Sequence, residues 1–157
     1  MVMAKLKEEL KEIFDLTDLE EPTKIVGIEI DQRADSLIIS QKQYVNAILQ
    51  KYGMEEANPV STPMDSNISL EPNKESGEAN RSNAYASLIG SLQYLATATR
   101  PDIAYAVNRL AAYTANPSFT HYGIAKGVLR YVKGTKDYGM RPSQMLMIGS
   151  QFPGMYI

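Results

Sequence analysis

The chain has 157 residues, 44% hydrophobic and 22% charged, enough to bury a core and fold as one domain or two small ones. It has no cysteine, which excludes disulfides and thiolate metal sites, and no run of about 18 apolar residues of the kind that crosses a membrane. The net charge of −2 hides an asymmetry: residues 1–80 hold 8 Lys+Arg against 16 Asp+Glu, whereas residues 81–157 hold 8 against 2, which fits a polyanion partner for the second half or simply an arginine-flecked helical surface.

The opening "MVMAKLKEELKEIF" has no continuous apolar region of the signal-peptide kind, so an intracellular protein, cytoplasmic or nuclear and without a membrane partner, is expected. Leu6, Leu10, Ile13 and Phe14 recur at spacings of three and four, which predicts an amphipathic helix over residues 5–14, and Pro22 forbids its continuation. Ile25, Val26, Ile28 and Ile30, then Leu37, Ile38 and Ile39, form two runs rich in β-branched residues around the polar turn "DQRADS". A hairpin is expected there, with Gly27 as a bulge or a place where another chain approaches closely.

Ser40 reads as the N-cap of a helix that carries Tyr44, Val45, Ile48, Leu49 and Tyr52 at helical spacing and closes on Gly53. From Asn58 to Asn83 the sequence is rich in Pro, Ser, Asn and Glu and short of periodic apolar residues, so a long exposed linker is expected. Three helical stripes follow: Tyr85, Leu88, Leu92 and Leu95; Ile103, Val107 and Leu110; Ile124, Val128 and Val132. Breaks fall at "TATRPD" and "ANPSFTH", where Ser118 or Thr120 can cap the third helix. The glycine- and proline-bearing end has no stable period.

These elements give an α+β fold: an N-terminal helix and β-hairpin with a following helix, then a small bundle of about three helices and an irregular C-terminal tail. The boundaries fall at residues 1–57, a linker 58–83, a helical bundle 84–139 and a tail 140–157.

Conventional catalytic equipment is sparse. There is no GxxxxGK[ST] phosphate loop, no GxSxG elbow and no spaced His/Cys/Asp metal cluster, so no cofactor is expected. His121, the one histidine, stands at a helix start, where capping is commoner than catalysis, and Asp31 and Asp35 are explained by turn chemistry. Lys126, Arg130 and Lys133 fall at i, i+4 and i+7, a stripe that can track phosphates or be a solvated face. Tyr122 and Tyr131 can stack on nucleotides or belong to the core and its rim. In "TRPD", Pro101 and Asp102 suit the first helical turn, and Thr99 with Asp102 approximates a capping box. Arg100 opposes the helix dipole unless it reaches a carboxylate or a phosphate; the carboxylate is favoured.

In order, "LKEIFDLTDLEEPTKIVGIEID", "LIISQKQYVNAILQKYGM", "NPVSTPMD", "YASLIGSLQYLATATRPDIAYAVNRLAAYTANPS" and "HYGIAKGVLRYVKGTKDYG" resemble the C-terminal part of the reverse transcriptase of copia-type LTR retrotransposons. The resemblance covers residues 5–139. It implies the end of the palm and the thumb of an RNA-directed DNA polymerase, part of a Pol polyprotein. The hairpin over residues 25–39 would be primer-grip-like, with Gly27 suited to close approach of nucleic acid. Residues 85–115 would resemble thumb helices along an RNA/DNA template–primer duplex, with Arg100 a candidate for backbone phosphate. Lys126, Arg130 and Lys133 would belong to the helical segment leading to a ribonuclease H domain.

The family's Tyr-Val-Asp-Asp motif, which holds Mg²⁺ for two-metal phosphoryl transfer, is absent from this sequence. The expectation is a truncated chain, non-catalytic alone, with weak sequence-independent duplex binding; Mg²⁺ would be needed only by the complete polymerase. Glu20 departs from the glycine usual after "DL", and "MRPSQMLMIGSQFPGMYI" has no acidic residue where ribonuclease H carboxylates would follow, so the tail reads as unrelated sequence. A second expectation, from another class, is a domesticated interaction module that binds remaining Pol segments or self-associates through surface uncovered by loss of the palm.

Overall fold

A computed structural model describes residues 2–15, 22–33, 36–74 and 79–141. Helix α1 spans Val2–Ile13, in agreement with the apolar spacing. Its exposed faces carry Lys5–Glu9 and Lys11–Glu8 ion pairs, while Leu6, Leu10, Ile13 and Phe14 also remain exposed. Three strands follow, β1 (Lys24–Ile25), β2 (Ile28–Gln32) and β3 (Leu37–Ser40), antiparallel in the order β1-β2-β3.

The first apolar run is therefore folded back on itself rather than continuous. Val26 and Gly27 form a two-residue turn with φ of 48° and 79°, so that Ile25 pairs with Ile28. Such left-handed turns match the twist of paired strands, which is why they recur in tight hairpins. Gly27 is a turn residue and not a bulge.

Helix α2 spans Lys42–Lys51. Ser40 does not cap it: Ser40 lies in β3 opposite Glu29, and the N-cap position is Gln41, which makes no side-chain cap bond. Instead the Glu29 carboxylate accepts from the Gln43 N–H at 2.8 Å, so a strand supplies the anion that the helix N-terminus favours. At the other end Gly53 has φ 62°, and the Met54 N–H to Leu49 and Gly53 N–H to Gln50 bonds (2.8 and 3.1 Å) close a Schellman motif.

The second half is helical as its stripes predict: α3 (Ala79–Ala98), a 3₁₀ turn (Pro101–Ile103) running into α4 (Ala104–Ala111), and α5 (Phe119–Gly134). Tyr85, Leu88, Leu92, Leu95, Ile103, Val107, Leu110, Val128 and Val132 are all fully buried and join Val45, Ile48 and Leu49 of α2 in one core. Ser118 caps α5, its Oγ accepting from the His121 N–H at 3.2 Å while His121 Nδ1 accepts from the Ser118 N–H at 3.0 Å.

Helix α3 starts within the stretch expected to be linker. Residues 58–74 have no helix or strand, yet they lie along the helices: Tyr113 donates to the Leu70 carbonyl at 2.8 Å, Arg109 to that of Ile68 at 3.3 Å, and Met64 and Leu70 pack against the core. The tail beyond Arg141 lies outside the described residues. No described helix is long and apolar enough to cross a membrane.

Candidate nucleic-acid interface

In the β1–β2 turn Val26 is 81% exposed and Gly27 is half-buried. The turn is held from behind by α3: the Tyr94 hydroxyl donates to the Val26 carbonyl, and Tyr94 is itself set by an edge-on contact with Tyr44, ring centroids 5.0 Å apart. Gly27 is required by its φ of 79° rather than by lack of space, since a Cβ there would stand at an ordinary 3.5 Å from the Tyr94 hydroxyl. Tyr94 is a positioning residue that the sequence pattern did not single out; it lies off the buried stripe of α3. A turn so held presents its backbone at a fixed place.

Arg100 is buried, its side chain 3% exposed. Its Nε and Nη2 grip Asp102 Oδ1 and Oδ2 at 3.0 and 2.8 Å, and Nη1 and Nη2 reach the Thr135 carbonyl and Oγ1 at 3.1 and 2.6 Å. The rings of Tyr131 and Tyr138 lie 5.6 and 5.5 Å from the guanidinium carbon. Of the two partners considered for Arg100, the carboxylate is engaged, and Nε, Nη1 and Nη2 all donate within the chain.

The capping box expected between Thr99 and Asp102 does not form. Thr99 Oγ1 donates to Gln41 Oε1 at 2.9 Å, and Asp102 takes Arg100 together with the Tyr131 hydroxyl, at 2.9 Å. Burial pushes the Asp102 carboxyl up, but hydrogen bonds from Arg100 and Tyr131 and the Arg100 charge outweigh it and hold the group below its usual range.

The cationic stripe of α5 is divided. Arg130 Nε donates to the Asn58 carbonyl at 2.6 Å and Lys133 Nζ to that of Ala57 at 3.0 Å, so both tie the chain after α2 onto α5. Lys126 lies over the Tyr122 ring at 5.3 Å. Tyr122 and Tyr131 pack against the core, the rim role among the alternatives for them. Arg109, which the sequence did not flag, lies 5.8 Å from the ring of the exposed Tyr105. The structure thus brings Lys126, Arg130 and Lys133 along one helix, places Gly27 on the sheet, and puts Arg100 inside.

Residues 1–66 match the family described as reverse transcriptase (RNA-dependent DNA polymerase). The chain is 36% identical over 141 residues to the retrovirus-related Pol polyprotein from transposon TNT 1-94 of Nicotiana tabacum, covering 85% of this chain and 11% of that protein. It is 38% identical over 134 residues to the Pol polyprotein from transposon RE1 of Arabidopsis thaliana, covering 85% and 9%. An uncharacterized mitochondrial protein of the same plant is 36% identical over 132 residues, covering 84% and 54%. The chain thus spans about a tenth of the polyproteins it matches and about half of the mitochondrial protein. No solved structure matches significantly. Among the described residues no three His, Asp or Glu side chains come together in a group that could hold a metal ion.

Proposed function

The chain is reverse-transcriptase-like and homologous to a segment of copia-type retrotransposon Pol polyproteins, and from that premise we propose that it holds an RNA/DNA template–primer duplex weakly, without regard to sequence, and is non-catalytic alone. The observation that carries this reading is the Val26–Gly27 turn, kept in place by Tyr94 and with Val26 81% exposed, within the region that matches the family. The basic second half adds attraction for phosphate, with Lys126 as the contact and Arg130 and Lys133 beside it on α5. Arg100 has a positioning role. The sequence has no adjacent aspartate pair to hold two metal ions at a primer end, so polymerisation is assigned to longer chains.

The test is binding of a labelled RNA/DNA hybrid at about 50 mM and about 200 mM salt, the range over which phosphate contacts weaken strongly. Binding at low salt that falls steeply at high salt is the expected result; none at low salt removes the reading. Primer extension by the chain with Mg²⁺ should be absent, and extension would overturn the non-catalytic assignment.

One observation favours a second reading, a protein-interaction or self-association module. Leu6, Leu10, Ile13 and Phe14 of α1 and the residue after it are 46%, 37%, 72% and 56% exposed, an apolar stripe of the kind that partners cover. Light scattering after size exclusion separates the readings: a clean monomer that binds no nonpolar dye counts against the module.

A further inference from the structure

No residue of β1, β2 or β3 is buried, whereas the core is built from α2, the chain after it, and the helices of the second half. A small antiparallel sheet whose residues are at most half-buried depends on what it is docked to, here Tyr94 of α3 on the Val26 carbonyl, the Gln43 N–H of α2 on Glu29, and the chain after α5. The chain after α5 returns to β3 and pairs with its outer edge: the Met140 N–H donates to the Ile39 carbonyl at 2.8 Å, and the Ile39 N–H to the Met140 carbonyl at 3.0 Å. Gly139 permits this approach, since a Cβ there would lie 2.8 Å from the Ile39 carbonyl oxygen and 2.9 Å from Ile38 Cγ2.

The returning segment is rooted in the helical unit. Thr135 is gripped by the buried Arg100, Tyr138 lies against the same guanidinium, and Asp137 pairs with Lys42 at 2.5 Å. Arg100 therefore links the start of α4, the end of α5 and the root of this segment.

We propose that residues 138–140 are a releasable clip that keeps the three-stranded sheet ordered on the helical bundle, so that opening the clip unfolds the sheet while the bundle stays folded. Opening also frees the Ile39 N–H and C=O, leaving an edge available to another strand. This inference concerns how the sheet is held and does not rest on the nucleic-acid reading.

Amide hydrogen exchange on the full chain, resolved by NMR, tests it in two variants. Gly139→Val fills the space against Ile39, and Met140→Pro removes one donor without adding bulk at Gly139. The Ile30 amide, which donates to the Thr23 carbonyl at 2.8 Å, reads the sheet away from the clip itself. Selective acceleration of Ile30 exchange by about tenfold or more, with Leu92 and Val128 unchanged, is expected and in either variant supports the clip. Unchanged Ile30 exchange in both overturns it. So does joint loss of sheet and helix protection in both, which would make them one cooperative unit.

Discussion

Arg100 and Asp102 form a two-bond pair across a single intervening proline, Nε to Oδ1 at 3.0 Å and Nη2 to Oδ2 at 2.8 Å, with the arginine buried and the aspartate partly open. Removing the carboxylate leaves a buried guanidinium with Thr135 as its hydrogen-bond partner and the Tyr131 and Tyr138 rings beside it, but no counter-charge. Because Asp102 is 35% exposed, water reaches its place, and Asp102→Ala should cost about 2–3 kcal/mol, below the full value for a wholly buried pair. Urea unfolding followed by circular dichroism measures it. A loss under about 0.5 kcal/mol, the level of an exposed pair, would deny the pair its structural role.

The same carboxylate sets an acid limit. Its folded pKa lies below the ordinary value of 3.8, so the unfolded chain takes up its proton first as pH falls. The stabilisation is complete above that value and is lost as pH drops through the lower folded pKa. Urea midpoints measured from pH 6 down to about pH 2 should fall more steeply for the parent chain than for Asp102→Asn, which has no carboxyl to titrate.

Val26 is a β-branched residue at φ 48°, where its Cβ crowds the backbone. Val26→Asn creates the Asn-Gly pair that this turn favours, and stabilisation of the sheet by about 1 kcal/mol is expected. Slower exchange of the Ile30 amide reads it. Tyr94→Phe, which removes the donor to the Val26 carbonyl, should act in the opposite direction.

Lys126 separates nucleic-acid binding from folding on α5. Lys126→Ala should weaken hybrid binding equally across sequences and reduce the salt slope by about one phosphate contact, with thermal stability nearly unchanged. Lys133→Ala should lower stability as well, because its ammonium holds the Ala57 carbonyl. An unchanged salt slope in Lys126→Ala would remove that residue from the interface.

The helical bundle is legible in the sequence because burial on a helix repeats every three or four residues, and Leu88, Leu92, Leu95, Val107, Leu110 and Val128 obey that period. The β1–β2 turn is not, because a β-branched valine fills its first position, leaving Gly27 as the lone turn residue inside "KIVGIEI", which reads as one run. Ser40 looks like a cap locally, but its place in β3 leaves the α2 N-terminus to Glu29, eleven residues earlier in the chain and adjacent only after the strands pair. Residues 58–74 show no period because side chains from elsewhere hold the carbonyls of Asn58, Ile68, Leu70 and Asn73, a pattern no local window contains. The need of Arg100 for a partner is legible; that Thr135 shares the role is a fact of the tertiary fold.

His121 gives the last expectation. It is 1% exposed, stacks on Tyr113 with ring centroids 4.1 Å apart, and uses Nδ1 as an acceptor for the Ser118 N–H. That bond requires a neutral ring with its proton on the other nitrogen. Burial pushes its pKa below 6.5, outweighing a hydrogen bond with the Glu71 backbone that acts the other way. The unfolded chain therefore binds the proton first, and the contribution is complete above pH 6.5 and lost as pH falls toward the lower folded pKa. His121→Gln keeps an acceptor three residues after Ser118, as a capping box requires, and removes the titration. It should be less stable than the parent at pH 8 through loss of the ring stack, by about 1–2 kcal/mol. The gap should narrow by pH 5.5, and urea midpoints at the two pH values decide it: a gap independent of pH would mean that the ring is not held neutral at the head of α5.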